Sequence, residues 1–334
     1  MSYHDALNYL AQKTSVIELY NQFGGRVAVC PEWNGRIVTS TCEGLEGDSF
    51  GFANVQAMDT GRFEDFGGED QWTISPLIHS FVVEYIKEQK AVLQRTLSMP
   101  DANGAPTEFH LSRTISLLNP HNIGTLFDDS VAESLDRDNV SVVCFHTENT
   151  VWAREPVWVA SRQRGMFNAS PHRCIIVSTP PANEFEPDPF PSIIDYLGNS
   201  PHSRIRHLEQ AMLIRADGQK GCRVTIPFSH SPPIFGAVEL RLGSLTLWTF
   251  DVPGDSEEDE ILIYNSGYAH GSKLDWATYY ETNCFSAAQN VQPEQLLTYC
   301  QGTLHLNAEN KILGEIIREV FGVTLEEITQ KMLR

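Results

Sequence analysis

The sequence has no C-x-x-C pair and no clustered, even set of cysteines. Its seven cysteines, Cys30, Cys42, Cys144, Cys174, Cys222, Cys284 and Cys300, are scattered along the chain. That spacing argues against a disulfide framework or a zinc site and fits a reducing compartment. There is no apolar run long enough to span a bilayer, and the opening residues MSYHDALNYLAQKT lack the apolar segment of a secretory leader. These absences give the expectation of a cytoplasmic protein that engages no membrane. Basic residues are also scarce: 24 Lys and Arg stand against 43 Asp and Glu, a net charge of −19. Such a chain repels phosphate backbones and anionic surfaces, so no nucleic-acid partner is expected. The same charge also serves simply to keep a protein soluble. No G-x-x-x-x-G-K-[ST] loop, H-E-x-x-H, G-x-S-x-G or dinucleotide-binding glycine pattern occurs. The 11 histidines are isolated, none followed by another at i+2 or i+4, so neither a metal nor a cofactor is expected.

What is present is a long run of strand patterns. The 334 residues, 41% apolar and 20% charged, suit one large globular domain or two ordinary ones. No repeat, low-complexity tract or composition break divides them, so a single domain over 1–334 is expected. Period-two alternation marks strands at 15–20, 26–30, 37–41, 81–87, 91–98, 107–118, 140–147, 174–178, 211–215, 223–226, 237–242, 245–250, 261–264 and 302–306. Asn34-Gly35 after Trp33 is a hairpin turn signal. The proline-rich stretch from Thr179 to Pro191 reads as an extended surface connection, and Asp255 to Glu260 as a solvated charge run. Helical spacing is confined mainly to 5–13 and to 308–333. There Ile312, Leu313, Ile316, Ile317 and Val320 form an apolar stripe, Gly322 is a C′ stop, and Thr324 with Glu327 forms a capping box. A mainly β chain with roughly 15 to 20 strand candidates predicts an antiparallel sandwich with short N-terminal and C-terminal helices.

Two segments carry candidate chemistry. In Asp275 to Asn290, DWATYYETNCFSAAQN, alternation puts Tyr279, Glu281 and Asn283 on one strand face. A carboxylate between an aromatic ring and an amide suits a polyol, through stacking on C–H faces and acceptance from hydroxyls. Taken alone, the segment is more simply a solvated glutamate on an open sheet face. Cys284 beside it reads as a small buried hydrophobe rather than a catalytic thiol. The second segment, Phe66-Gly67-Gly68-Glu69-Asp70-Gln71-Trp72, packs two carboxylates, an amide and an indole behind two glycines. It is either a polar ligand loop with an aromatic platform or an acidic surface turn whose Trp72 anchors it in the core. Glu69 and Asp70 alone are too few for a metal site.

Several of these motifs together resemble a known family. Val27-Ala28-Val29-Cys30-Pro31-Glu32-Trp33-Asn34-Gly35-Arg36-Ile37, Ser49-Phe50-Gly51-Phe52-Ala53-Asn54 and Phe66-Gly67-Gly68-Glu69-Asp70 look like an uncharacterised bacterial family related to galactose mutarotase. Tyr280-Glu281-Thr282-Asn283-Cys284-Phe285-Ser286-Ala287-Ala288 is similar to the mutarotase segment that carries the catalytic glutamate, and Thr298 to Leu306 fits the strand that follows it. The resemblance covers most of the chain in order, with specific motifs at its two ends. It implies a galactose mutarotase-like β-supersandwich with a sugar site on the concave face of one sheet. It puts Glu281 on the general base. It also puts Gly67 and Gly68 on the paired glycines that follow a substrate-binding histidine, where this chain has Phe66. The stretch ending at Phe167-Asn168, which carries the family's general-acid histidine, here offers Ser161, Arg162 and Arg164.

Three readings follow. The first is an aldose 1-epimerase-like isomerase with Glu281 as base. The second is a carbohydrate-binding protein on the same scaffold without turnover. The third is a structural or interaction protein in which Glu281 is surface. The expected ligand is a neutral small-molecule saccharide in a cleft lined by Arg36, Glu69, Asp70, Trp72, Arg162 and Glu281.

Overall fold

The computed structural model describes residues 1–51, 67–74, 80–100, 105–127, 129–135, 139–179, 193–194, 204–218, 222–227, 234–251, 260–266 and 279–333. Phe52 to Asn54, Phe66, the proline-rich stretch from Pro180 to Pro191, the acidic run from Asp255 to Asp259, and Asp275 to Thr278 lie outside the described residues.

The chain opens with α1 (Tyr3–Ala11), whose first turn is capped by the Ser2 hydroxyl accepting from the Asp5 N–H at 3.1 Å. Its apolar face, Tyr3, Ala6 and Leu10, packs on Ala28, Cys30 and Val38 of a three-stranded antiparallel sheet. That sheet is β1 (Ile17–Tyr20), β2 (Arg26–Cys30) and β3 (Arg36–Thr41). The turn between β2 and β3 contains Asn34 and Gly35, each with φ of 60°, the left-handed pair that Asn-Gly adopts at low cost.

The remaining strands are β4 (Gln71–Thr73), β5 (Val82–Lys87), β6 (Lys90–Pro100), β7 (Pro106–Leu118), β8 (Ser141–Ala153), β9 (Val157–Val159), β10 (Arg162–Asn168), β11 (Arg173–Ser178) and β12 (Ile193–Ile194). They continue with β13 (Ile205–His207), β14 (Ala211–Arg215), β15 (Cys222–Pro227), β16 (Ile234–Glu239), β17 (Ser244–Asp251), β18 (Glu260–Ser266), β19 (Tyr279–Phe285), β20 (Gln289–Val291) and β21 (Leu297–Asn307). A ten-stranded sheet runs β13-β14-β11-β16-β17-β21-β8-β7-β6-β5, and a six-stranded sheet runs β12-β15-β18-β19-β10-β4. β20 and β9 form a separate pair. Every pairing is antiparallel. The mainly β sandwich read from the alternation is the observed architecture.

The ten-stranded sheet is shared by two cores on its inner face and a third on the other. At its β5–β8 end, inward residues such as Leu93, Leu111, Phe145, Val151 and Tyr299 pack against Leu19, Val27 and Ile37 of the first sheet and against Trp72. Further along, Ile175, Met212, Phe235 and Trp248 face Phe167, Tyr280 and Cys284 of the six-stranded sheet. On the opposite face of that same region, Ile176, Leu213, Val238, Leu247 and Leu306 are covered by helices. These are α2 (Gly124–Phe127), α3 (Asp129–Leu135), α4 (Asn310–Phe321) and α5 (Leu325–Ile328).

The C-terminal helix signals act as expected. Gly322 ends α4 with φ of 67°, and Thr324 and Glu327 form the reciprocal capping box of α5. Helices lie mainly at the two ends, as expected, with two short ones between. α2 and α3 are short, but Phe127, Val131 and Leu135 recur every four residues and seal the sheet beneath them. Burial pushes the Cys30, Cys42 and Cys174 thiols up to about 12, so these cysteines act as packing groups.

Candidate functional site

The sequence of β19 alternates strictly. Tyr280 and Cys284 enter the core, which puts Tyr279, Glu281, Asn283 and Phe285 on the outer face of the six-stranded sheet. The neighbouring strand β10 is in register with it, pairing Arg162 with Phe285, Arg164 with Asn283 and Met166 with Glu281. Arg162 and Arg164 therefore share that outer face. On the far side of β10, Gln71 of β4 pairs with Arg164, and Trp72 pairs with Gln163. The outer face thus gathers Glu281, Asn283, Arg162, Arg164 and Gln71.

These side chains are tied to one another. The Arg162 guanidinium donates to Asn283 Oδ1 through Nε at 2.9 Å and Nη2 at 2.7 Å. The same Nη2 reaches Glu281 Oε2 at 3.3 Å, while Arg164 Nη1 lies 3.7 Å from Glu281 Oε1. Both carboxylate oxygens thus face a guanidinium. The Glu281 side chain keeps 11% of its exposure, Arg164 23% and Arg162 36%. The Arg162 guanidinium also lies 5.3 Å from the centre of the Phe285 ring.

Arg36 joins from below. It is buried on β3, and its Nη2 donates to Gln71 Oε1 at 2.7 Å. The same oxygen accepts from Arg164 Nη2 at 2.5 Å. Burial holds the Arg36 guanidinium well below its ordinary pKa, and the charge of Arg164 adds to the shift.

The glycine pair makes this approach possible. Gly68 has φ of +81°, and a Cβ there would meet Arg36 Cδ at 2.3 Å; a Cβ on Gly67 would meet Met166 Cβ at 2.3 Å. The backbone can pass between Arg36 and Met166 only without side chains. It then pairs with β3, Glu69 N donating to Ile37 O at 2.8 Å and Ile37 N to Asp70 O at 3.0 Å.

That geometry separates the expected lining residues. Arg162 and Glu281 come together on the outer face, with Arg36 linked to them through Gln71 and Arg164. Glu69 and Asp70 point the other way and have no exposure. Glu69 accepts from Ser40 N at 2.5 Å and Ser40 Oγ at 2.7 Å, and its Oε2 lies 2.7 Å from His305 Nε2. Asp70 Oδ1 pairs with Arg113 Nη2 at 3.0 Å, and its Oδ2 accepts from Thr147 at 2.6 Å. Trp72, expected as a stacking platform beside Glu281, is 2% exposed, and its indole N–H donates to Ser161 Oγ at 2.8 Å. Its parity in β4 turns the ring into the core, so its face is not open to a sugar. Arg164, Gln71 and Asn283 were outside the expected cleft. The shared parity of Arg162 with Arg164, and of Glu281 with Asn283, was the available signal.

Chemically, the face offers one acceptor-only carboxylate and two planar donors, while the buried Gln71 and Asn283 amides behind them orient the guanidiniums. That set can hold several hydroxyls at once, and a carboxylate on a strand is a fixed acceptor for a hydroxyl proton. Among the described residues no group of three His, Cys, Asp or Glu side chains gathers as metal ligands. None of the described helices is long and apolar enough to cross a membrane.

Comparison with known proteins agrees with the fold. The sequence model of a family of unknown function (DUF6786) matches residues 1–83 and 72–332. None of the curated protein sequences compared with the chain matches it. Among solved structures, a candidate aldose 1-epimerase from Escherichia coli K12 superposes with a TM-score of 0.55 at 9% identity, over 88% of this chain and 99% of that one. A candidate mutarotase from Salmonella typhimurium gives 0.52 at 9% identity over 91% and 100%. The Slr1438 protein from Synechocystis sp. PCC 6803 gives 0.53 at 11% identity over 89% and 96%. At such identities the likeness establishes a galactose mutarotase-like fold.

Proposed function

The chain belongs to the DUF6786 family of unknown function, and we propose that it binds an aldose on the outer face of the six-stranded sheet and interconverts its anomers with Glu281 as general base. The observation that supports this most is the position of Glu281. It is a mostly covered carboxylate on the outer face of a mutarotase-like sandwich, held at both oxygens by Arg162 and Arg164 and flanked by Asn283.

In this reading Glu281 takes the proton of the anomeric hydroxyl. The oxygen's electron pair closes to a carbonyl, the bond from C1 to the ring oxygen breaks, and the ring oxygen gains a proton. Rotation about C1–C2 and the reverse steps return the other anomer. Arginine stays protonated, so Arg162 and Arg164 act as hydrogen-bond donors to the charge developing on the ring oxygen, and solvent delivers the proton. Arg36 holds Gln71, which orients Arg164.

One observation favours a second reading, a non-catalytic saccharide-binding protein. Among the described residues of this face no histidine stands opposite Glu281, and both carboxylate oxygens already face guanidiniums. Fold alone does not decide between them. Polarimetry on freshly dissolved single anomers of a panel of neutral aldoses, paired with calorimetric titration of the same sugars, separates the two. Faster mutarotation than buffer supports the isomerase. Binding heat without acceleration supports the binding protein. Neither signal would remove the saccharide reading.

A further inference from the structure

The outer face of the ten-stranded sheet changes character along its length. Over β11, β14, β16 and β17 it is apolar and lies under α2 to α5. On β8, Val142 and Cys144 still belong to that covered region, whereas Thr150 and Trp152, on the same strand face, are half-exposed. The helical layer has ended, and the bare sheet beyond it carries a different chemistry. From Thr107 to Leu118 β7 alternates buried odd positions with half-buried even ones, and the even positions in its middle are His110, Ser112, Thr114 and Ser116.

Strand register sorts these side chains into rows across the sheet. One row is Thr96, His110 and Trp152 on β6, β7 and β8. The next is Gln94, Ser112, Thr150 and Thr298, continued on the edge strand by Val82. Between the edge strand on one side and Leu296 on the other, these rows floor a cavity of about 450 Å³. From β5 to β21 the sheet crosses four strand spacings, on the order of 19 Å.

The lining identifies the ligand class. Trp152 is the one large platform, its ring tilted at 48° against His110 with centroids 4.6 Å apart. His110 is held in turn by Thr96, 3.1 Å from its Nδ1. Around the rings stand small hydroxyls and an amide, Thr96, Ser112, Thr150 and Gln94. The two charges in the lining, Glu84 and Arg95, cancel, and each is engaged: Glu84 accepts from Gln94, and Arg95 donates to the carbonyl of Ser80. An anion gains no net charge here, because the Glu84 carboxylate stands in the same lining as Arg95. An extended peptide finds no floor backbone to pair with, because β6, β7 and β8 are hydrogen-bonded on both sides. A neutral sugar chain matches both parts: the rings stack on C–H faces and the hydroxyls are exchanged one for one.

We propose that this trough is a second carbohydrate site, taking a neutral oligosaccharide across β6, β7 and β8 with Trp152 as its stacking platform. It lies on the other sheet from Glu281 and does not rest on Glu281 being catalytic.

The test titrates the full chain with maltohexaose, cellohexaose, xylohexaose and chitohexaose, read by calorimetry and tryptophan fluorescence. The expected result is binding of at least one hexasaccharide with a Kd of about 1 mM or tighter. Trp152→Ala should weaken it on the order of tenfold or more, and so should Ser112→Arg, which fills the trough without touching the indole. Glu281→Gln should leave it unchanged. No binding by any of the four overturns the proposal. So does binding that survives both trough substitutions, or binding lost only in Glu281→Gln, which would assign it to the other face. If no sugar binds and the wild type forms a dimer in light scattering that Ser112→Arg dissociates, the trough is a contact between copies and the proposal falls.

Discussion

Asp70 and Arg113 form an ion pair with neither side chain exposed, and the cost of breaking it is a property of single residues. Arg113 also donates through Nε to Gly35 O at 2.9 Å, so it braces the β2–β3 turn from the ten-stranded sheet. Asp70→Ala would strand a buried guanidinium, and a loss of about 3–5 kcal/mol in urea unfolding is expected. Loss below about 1 kcal/mol would contradict the pairing. Glu69 belongs to the same class. From sequence it was a ligand-lining carboxylate. Its partners are Ser40 and His305, so Glu69→Gln should lower the unfolding free energy by about 1–3 kcal/mol and leave saccharide affinity unchanged. Equal stability with lost affinity would restore the earlier role. The parity of Glu281 was readable in advance, because alternation within one strand is local. The inward turn of Glu69, Asp70 and Trp72 was not, because it depends on β4 pairing with β10, which lies about ninety residues away in sequence.

At the scale of elements, the segment from Gly67 to Thr73 is the connector that carries β3 into the six-stranded sheet. Its backbone fits only because Gly68 can hold φ of +81° against Arg36. Gly68→Ala should cost about 1–3 kcal/mol from the left-handed backbone alone. Because its Cβ would displace Arg36, it should also weaken aldose binding. Thr324→Ala in the capping box of α5 is the matched control: a loss of about 1 kcal/mol with no change in binding. Thermal unfolding and calorimetry on both variants check this, and a binding loss in Thr324→Ala would contradict it. The same contrast explains what was legible. α4 and α5 announce themselves through local signals, a stripe, a C′ glycine and a capping box. α2 and α3 are too short for a stripe to show and gain their helical form from the sheet they cover. β10, with Arg162-Gln163-Arg164-Gly165 at its start, hides its strand character behind polar residues.

For the molecule as a whole, the ten-stranded sheet is the common wall of two inner-face cores and of a third under the helices, so none can lose its packing without exposing the others. A single unfolding unit is expected. Trp72 lies in one inner-face core and Trp248 in the other. Of the six tryptophans, variants that keep only Trp72 or only Trp248, each followed by fluorescence and by circular dichroism, should give coincident midpoints within each variant. Midpoints that separate would show two independent domains. The strongly acidic surface, −19 overall, also sets off the outer face of the six-stranded sheet, where Arg162 and Arg164 flank Glu281. Aldose binding there should weaken little with salt, because a neutral ligand releases no counterions. A steep salt dependence would point to an anionic sugar instead.

The most direct measurement is anomer exchange by proton NMR, with magnetisation followed between the α and β anomeric protons of a bound-range aldose in the presence of wild-type protein and of Glu281→Gln. The substitution keeps the shape and hydrogen-bonding reach of residue 281 and removes its basicity. The account predicts exchange above the buffer rate for the wild type and a loss of roughly 10²–10⁴ in kcat for Glu281→Gln, with the folded state unchanged. Exchange by Glu281→Gln at the wild-type rate would contradict it.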